Sequence, residues 1–114
     1  MPDLQWAVYE ANLDPIAGSE QKSTRPVLIV SNEEFNQAMP NVTVLPLTST
    51  QRRLYPSETL LQAGKAGQPS KSIVMAHQIR TISKQRLGKL LGHLDDTHLR
   101  HEVRLALKEH LELT

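Results

Sequence analysis

Three short apolar runs, Trp6 to Asn12, Pro26 to Ser31 and Val42 to Leu47, fill the first half of the chain, each strand-length and each bounded by turn formers. Strands that short must pair with one another, so a small sheet is the predicted foundation of the fold. Between the first two runs lies the segment Asp14 to Thr24, rich in turn-forming and polar residues and too long for a tight hairpin. Long loops in compact domains disproportionately carry function.

The punctuation continues along the chain. Asn32 is placed to cap a single helical turn through Phe35, with Glu33 and Glu34 at the positive end of its dipole and Pro40 and Asn41 ending it. Residues 50–57 read as a loop, Glu58 to Leu61 as a weak strand, Ala63 to Lys71 as a connection, and Ser72 to Ala76 as a further strand. After Gln78 to Ile82 the apolar period changes from two to about 3.6. Ser83 is then expected to cap a short helix through Leu90, and Asp95 or Asp96 a longer one. In the longer helix Leu99, Val103, Ala106, Leu107, His110 and Leu111 form one apolar stripe that should pack on the sheet. Strands followed by helices indicate an α+β domain on a small, strongly curved antiparallel sheet.

At 114 residues the chain supports one hydrophobic core, so a single domain over residues 1–114 is expected. Without cysteine, disulfides, thiol catalysis and the usual structural zinc sites are excluded, and cofactor-free chemistry becomes the first expectation. His98 and His101 lie three apart, but no carboxylate or third histidine stands at a ligand spacing, so a solvated helix face is expected and no metal site. No run approaches the roughly 18 apolar residues of a membrane helix, and Met1-Pro2-Asp3-Leu4 lacks the character of a secretory signal, which places the protein in the cytoplasm. The net charge of +1 conceals a division: residues 1–34 sum to −4, residues 35–94 to +7 and residues 95–114 to −2. In the middle, Arg52, Arg53, Lys65, Lys71, Arg80, Lys84, Arg86 and Lys89 face a single acid, Glu58, a balance suited to a polyanion such as RNA.

The order of local motifs adds an identity. Asn12-Leu13-Asp14-Pro15, then Gly18-Ser19-Glu20-Gln21, then Arg25-Pro26-Val27-Leu28-Ile29-Val30-Ser31 resembles the first hairpin and active-site loop of the MazF/PemK toxins. The likeness continues in register through Phe35-Asn36, Val44-Leu45-Pro46-Leu47-Thr48-Ser49, Lys71-Ser72-Ile73-Val74, Gln78-Ile79-Arg80-Thr81-Ile82, Lys84-Gln85-Arg86-Leu87 and Leu90-Leu91-Gly92. This resemblance implies an SH3-like β-barrel with a short helix and a C-terminal helix, a homodimer, sequence-selective cleavage of single-stranded RNA, and neutralisation by a small antitoxin.

Cleaving RNA without metal employs the substrate's own 2′-hydroxyl as nucleophile, so the enzyme must remove its proton, stabilise the phosphorane and protonate the departing 5′-oxygen. Similar toxins place their essential arginine at the position of Arg25, whose fork matches the charge developing on phosphate oxygens. Thr48 matches a family threonine at a strand end and can donate to a phosphate oxygen. Glu20 shares the loop that leads to Arg25 and is a candidate for orienting it, contacting RNA or moving a proton. His77 departs from the family, many members of which carry Asp, Glu or Asn before the glutamine that corresponds to Gln78; its imidazole could transfer protons at neutral pH or contact substrate. Gln21, Ser49, Gln78, Arg80, Lys84 and Arg86 are the remaining candidates for the RNA path, since amides read base edges and cations hold phosphates, although Arg86 could be structural. Relatives also commonly open the first strand with a basic residue, Gly and an acid, where this chain has Gln5, Trp6 and Ala7. Two rival readings stand beside the ribonuclease: a gyrase poison like the related CcdB toxins, and a catalytically idle partner-binding module.

Overall fold

The computed structural model describes residues 3–13 and 24–114. Seven strands form one antiparallel sheet: β1 (Ala7–Asn12), β2 (Thr24–Ile29), β3 (Asn41–Thr48), β4 (Glu58–Leu61), β5 (Ser72–Met75), β6 (Arg80–Ser83) and β7 (Leu87–His93). Along the sheet the order is β4-β5-β3-β2-β1-β7, with β6 also paired to β3. The central strand β3 thus shares one edge between two partners, β6 opposite Asn41 to Val44 and β5 opposite Leu47 and Thr48, while β2 occupies its other edge.

The expected small, curved antiparallel sheet with appended helices is what forms, but it is not a closed barrel, because β4 and β7 end the strand order without pairing. Backbone packing brings these ends together instead. The turn Lys65–Gly67 that follows β4 lies so close to β7 that a Cβ on Gly67 would fall 2.0 Å from the Leu91 carbonyl oxygen, and one on Gly92 would fall 2.7 Å from the Gly67 nitrogen. Only glycine permits that approach, and Gly67 also has a positive φ of 73°.

Alternation within the strands sends residues to two cores. Leu28, Leu45, Leu47, Val8 and Val74 join Leu61, Val103 and Ala106 under the C-terminal helix, whereas Val27, Ile29, Val42 and Val44 pack on the other face with Ala7, Ala11 and Ile82.

The predicted single turn after Asn32 is a helix, α1 (Glu33–Ala38), capped by the Asn32 side chain accepting from the Phe35 N–H. Its Glu33 carboxylate also accepts from the backbone N–H groups of Leu4 and Gln5, which fastens the approach to β1. A correction falls at Ser83. It does cap a turn, accepting from the Gln85 N–H, but that turn covers only Lys84–Arg86, and the residues expected to continue as helix to Leu90 belong to β7. Of the two candidate caps Asp96 starts the final helix, α2 (Thr97–Leu111). Its stripe is shorter than expected. Val103 and Ala106 are buried and Leu99 and Leu107 pack beside them, but His110 and Leu111 lie past the core and are exposed.

The altered opening of β1 has a structural role. Trp6 is buried with a φ of 71°, donates its N–H to Ile29 and accepts from the Leu94 N–H, and its ring lies under the guanidinium groups of Arg104 and Arg100, 5.0 and 5.3 Å away. It stands just before β1, at the opposite end of the strand from Asn12.

Candidate active site

Register places the two principal candidates together. Val27 of β2 pairs with Pro46 of β3 as the last pair between these strands; Arg25 stands two residues before Val27, and Thr48 two residues after Pro46. By strand alternation Arg25 projects to the side of Val27 and Thr48 to the side of its partner Pro46. On its other edge Arg25 is opposite Ala11 of β1. The Thr48 Oγ1 accepts from the Thr50 N–H at 3.2 Å, so its own O–H is left to donate outward. Ser49 follows in the exposed connection, and a cleft of about 380 Å³ runs along this strand end, with Glu10, Pro26, Leu47, Thr48, Ser49 and Gln68 among its walls. Arg25 is half-buried and is not part of that cleft wall.

Two further candidates face the same corner without being free cations. Arg80 donates from Nη1 to the Leu13 carbonyl at 3.2 Å, and Arg86 donates from Nη1 to the Asn12 carbonyl at 3.1 Å. Both therefore grip the end of β1. Glu20 and Gln21 lie outside the described residues. Lys84 is half-buried with its backbone N–H on the Pro40 carbonyl, and Gln78 is exposed at the end of the turn Ala76–Gln78.

His77 belongs to a second constellation. It lies in the Ala76–Gln78 turn between β5, which leaves β3 at Leu47, and β6, which joins it at Val44, roughly 10 Å along β3 from Thr48. Its Nε2 is 2.9 Å from Glu58 Oε2. Glu58 is fully enclosed and takes a bidentate pair from Arg52 at 2.7 and 2.6 Å, together with the Tyr55 N–H at 2.8 Å. The Arg52 hydrogen bonds outweigh the burial that opposes charge, the Tyr55 N–H and His77 add to them, and the Glu58 carboxyl is held at about 2, well below its usual range. A carboxylate only accepts, so His77 Nε2 must carry a proton and Nδ1 is the atom it can offer elsewhere.

Glu58 was not among the residues expected to matter. Its signal was present as the lone acid among eight cations of residues 35–94, at the head of an apolar strand. Arg52, counted with the basic middle, is spent on it. His98 and His101 are both exposed, and among the described residues no group of three or more His, Asp or Glu side chains is arranged to hold a metal. No helix among them is long and apolar enough to cross a membrane.

Comparison with known proteins agrees with this geometry. Residues 4–111 match the family described as PemK-like, MazF-like toxin of type II toxin-antitoxin system. The chain is 40% identical over 90 residues to the endoribonuclease EndoA of Bacillus subtilis, covering 78% of each protein. It is 34% identical over 111 residues to the endoribonuclease MazF9 of Mycobacterium tuberculosis, covering 93% of each. Among solved structures, a mycobacterial endoribonuclease in complex with its cognate antitoxin superimposes with a TM-score of 0.80 at 29% identity, over 100% of this chain and 98% of that one. MazF from Deinococcus radiodurans gives 0.77 at 27% identity, over 98% and 97%. With the fold and nearly the full length in common, this chain belongs to the PemK-like, MazF-like toxins of type II toxin–antitoxin systems.

Proposed function

We propose that the chain is a metal-independent endoribonuclease that cuts single-stranded RNA at selected sequences in the cytoplasm, works as a homodimer and is neutralised by a cognate antitoxin. The observation that carries this reading is the position of Arg25 and Thr48 on adjacent strands, each two residues beyond the paired Val27 and Pro46, in a chain whose named relatives are endoribonucleases. A mycobacterial relative solved with its antitoxin supports the inhibitory partner. The basic middle of the chain suits both RNA and an acidic antitoxin segment.

In the reaction the 2′-oxygen attacks the adjacent phosphorus as a base takes its proton, and the bond to the 5′-oxygen breaks as that oxygen receives a proton. The products are a cyclic phosphate and a 5′-hydroxyl end. Arg25 stabilises the charge on the phosphate oxygens and Thr48 donates its free O–H to one of them. Glu20 remains the candidate for proton transfer or for orienting Arg25. Ser49, Gln21, Gln78 and Lys84 contribute to the RNA path, whereas the carbonyl contacts of Arg80 and Arg86 favour a holding role. The separation of His77 from Thr48 favours substrate contact over chemistry at the phosphate.

The test is to incubate chelator-treated protein with a long natural RNA and map the 5′ ends, with Arg25→Ala alongside. Discrete cuts leaving 5′-hydroxyl ends, slowed on the order of 100- to 1,000-fold in the variant, are expected. Absence of cutting by the wild type would return the gyrase-poison and idle-module readings.

A further inference from the structure

The aromatic residues of this chain are few and scattered in sequence, yet the fold gathers three rings at one place. Tyr55 comes from the connection before β4, His77 from the turn after β5 and His110 from the last turn of α2. The Tyr55 and His77 ring centres are 6.4 Å apart and nearly perpendicular, and those of His77 and His110 are 6.5 Å apart. Tyr55 is 59% exposed, an unusual cost for a large ring, and the Arg52 guanidinium lies 4.9 Å from its centre. That guanidinium is fixed in turn by its two bonds to Glu58, so the Tyr55 ring rests on an immobilised cation.

The same carboxylate fixes the imidazole. Glu58 accepts a hydrogen bond from His77 Nε2–H and leaves Nδ1 as the ring nitrogen not engaged by it, an acceptor while the ring is neutral. A ring of one defined tautomer beside an exposed ring supported by a cation has the parts that bind an unpaired nucleobase: a π-face for stacking and one directional group for its edge. We propose that Tyr55 and His77 form a nucleobase subsite on the path of the RNA, in which the base stacks on Tyr55 and an N–H on its edge donates to His77 Nδ1. An acceptor at Nδ1 matches the amino group of adenine or cytosine, or the ring N–H of guanine or uracil, according to the edge the base turns to it.

The subsite lies roughly 10 Å along β3 from Thr48, so it receives a nucleotide near the cleaved bond and not the reacting phosphate itself. Glu58 acts here as a positioning residue, because its carboxylate is enclosed and touches only the groups it orients. This inference rests on the ribonuclease reading, and its test separates the two.

Wild type, Tyr55→Ala, Tyr55→Phe, His77→Ala and Arg25→Ala are each given the same chelated transcript pool, and cleavage sites and initial rates are read by end sequencing. Tyr55→Ala is expected to lower kcat/KM about 10-fold and to weaken the base requirement at one position beside the cut, while Tyr55→Phe keeps the ring and restores both. His77→Ala should relax the requirement at that same position. In the wild type, nitrogen-15 NMR should find neutral His77 protonated at Nε2 and unprotonated at Nδ1. Wild-type cutting with the same sequence requirement in Tyr55→Ala and His77→Ala would overturn the subsite and leave the ribonuclease standing, as would the opposite tautomer for its orienting part. Absence of cutting by the wild type would remove the ribonuclease and the subsite together.

Discussion

Arg86 Nη1 donates to the main-chain carbonyl of Asn12 at 3.1 Å, tying the turn before β7 to the last residue of β1 across 74 positions of sequence. Arg80 makes the matching contact to Leu13, so two side chains that composition would assign to RNA phosphates are directed at the backbone at the end of β1.

A holding role and a phosphate contact differ in their response to salt. Removing one cation that neutralises a phosphate of a bound single strand reduces the slope of log affinity against log salt by about 0.7. Arg80→Ala and Arg86→Ala are therefore expected to lower kcat several-fold with the salt slope of RNA binding unchanged. A flatter slope in either variant would make that residue a phosphate ligand.

Thr48 offers a cleaner test of chemistry. Replacing it with Val keeps the branched shape suited to a strand end but removes the O–H, so cleavage should slow on the order of 10- to 100-fold with little change in the melting curve. Thr48→Ser retains a donor and should recover most of the rate. Equal rates for Thr48→Val and the wild type would remove the hydroxyl from the mechanism.

Acid should unfold the protein through two identifiable carboxylates. Burial of Glu33 opposes its charge, but the N–H groups of Gln5 and Leu4 and the side chains of Gln37 and Asn36 together hold it at about 2, against 4.5 for the free group. Glu58 is likewise held at about 2, chiefly by Arg52. Folded values below the unfolded ones mean that both contribute stability in full above pH 4.5, and lose it as pH falls from there toward 2. Urea midpoints between pH 7 and 2.5 should fall less steeply in Glu33→Gln and Glu58→Gln than in the wild type. Parallel curves would show that neither carboxylate governs acid stability.

Gly92→Ala tests how the two ends of the sheet are held together. The added methyl would meet the Ala66 and Gly67 backbone at 2.7 Å, atoms that cannot rotate aside. Destabilisation of about 2–3 kcal/mol is expected in denaturant titration. A variant as stable as the wild type would mean that the Lys65–Gly67 turn yields freely.

Much of this arrangement was legible in the residues. β1 to β5 follow apolar runs that turn formers separate, and α2 follows its stripe and the Asp96 cap. The strand β7 was not, for a physical reason. It is an edge strand whose pairing with β1 slips on both sides of Tyr9, so Leu87, Leu90 and Leu91 are only partly covered and stand at spacings that imitate a helix. That Arg25 and Thr48 serve one site was implied by the family motifs, but the residues alone did not give the register of β2 and β3. His77 attracted notice as a departure from relatives, yet its meaning depends on Glu58, 19 positions away, and no local pattern announces a partner at that range.

The pairing of β1 with β7 also fixes when this protein can come into being. Ala7 waits for His93 and Ala11 for Leu87, so on a ribosome adding roughly 5–20 residues per second the first strand spends seconds without its outer neighbour. The arginine that anchors Asn12 arrives equally late. A growing chain accordingly carries Arg25 and Thr48 long before it carries the architecture that aligns their surroundings, and the competence to cut is acquired only once β7 has emerged.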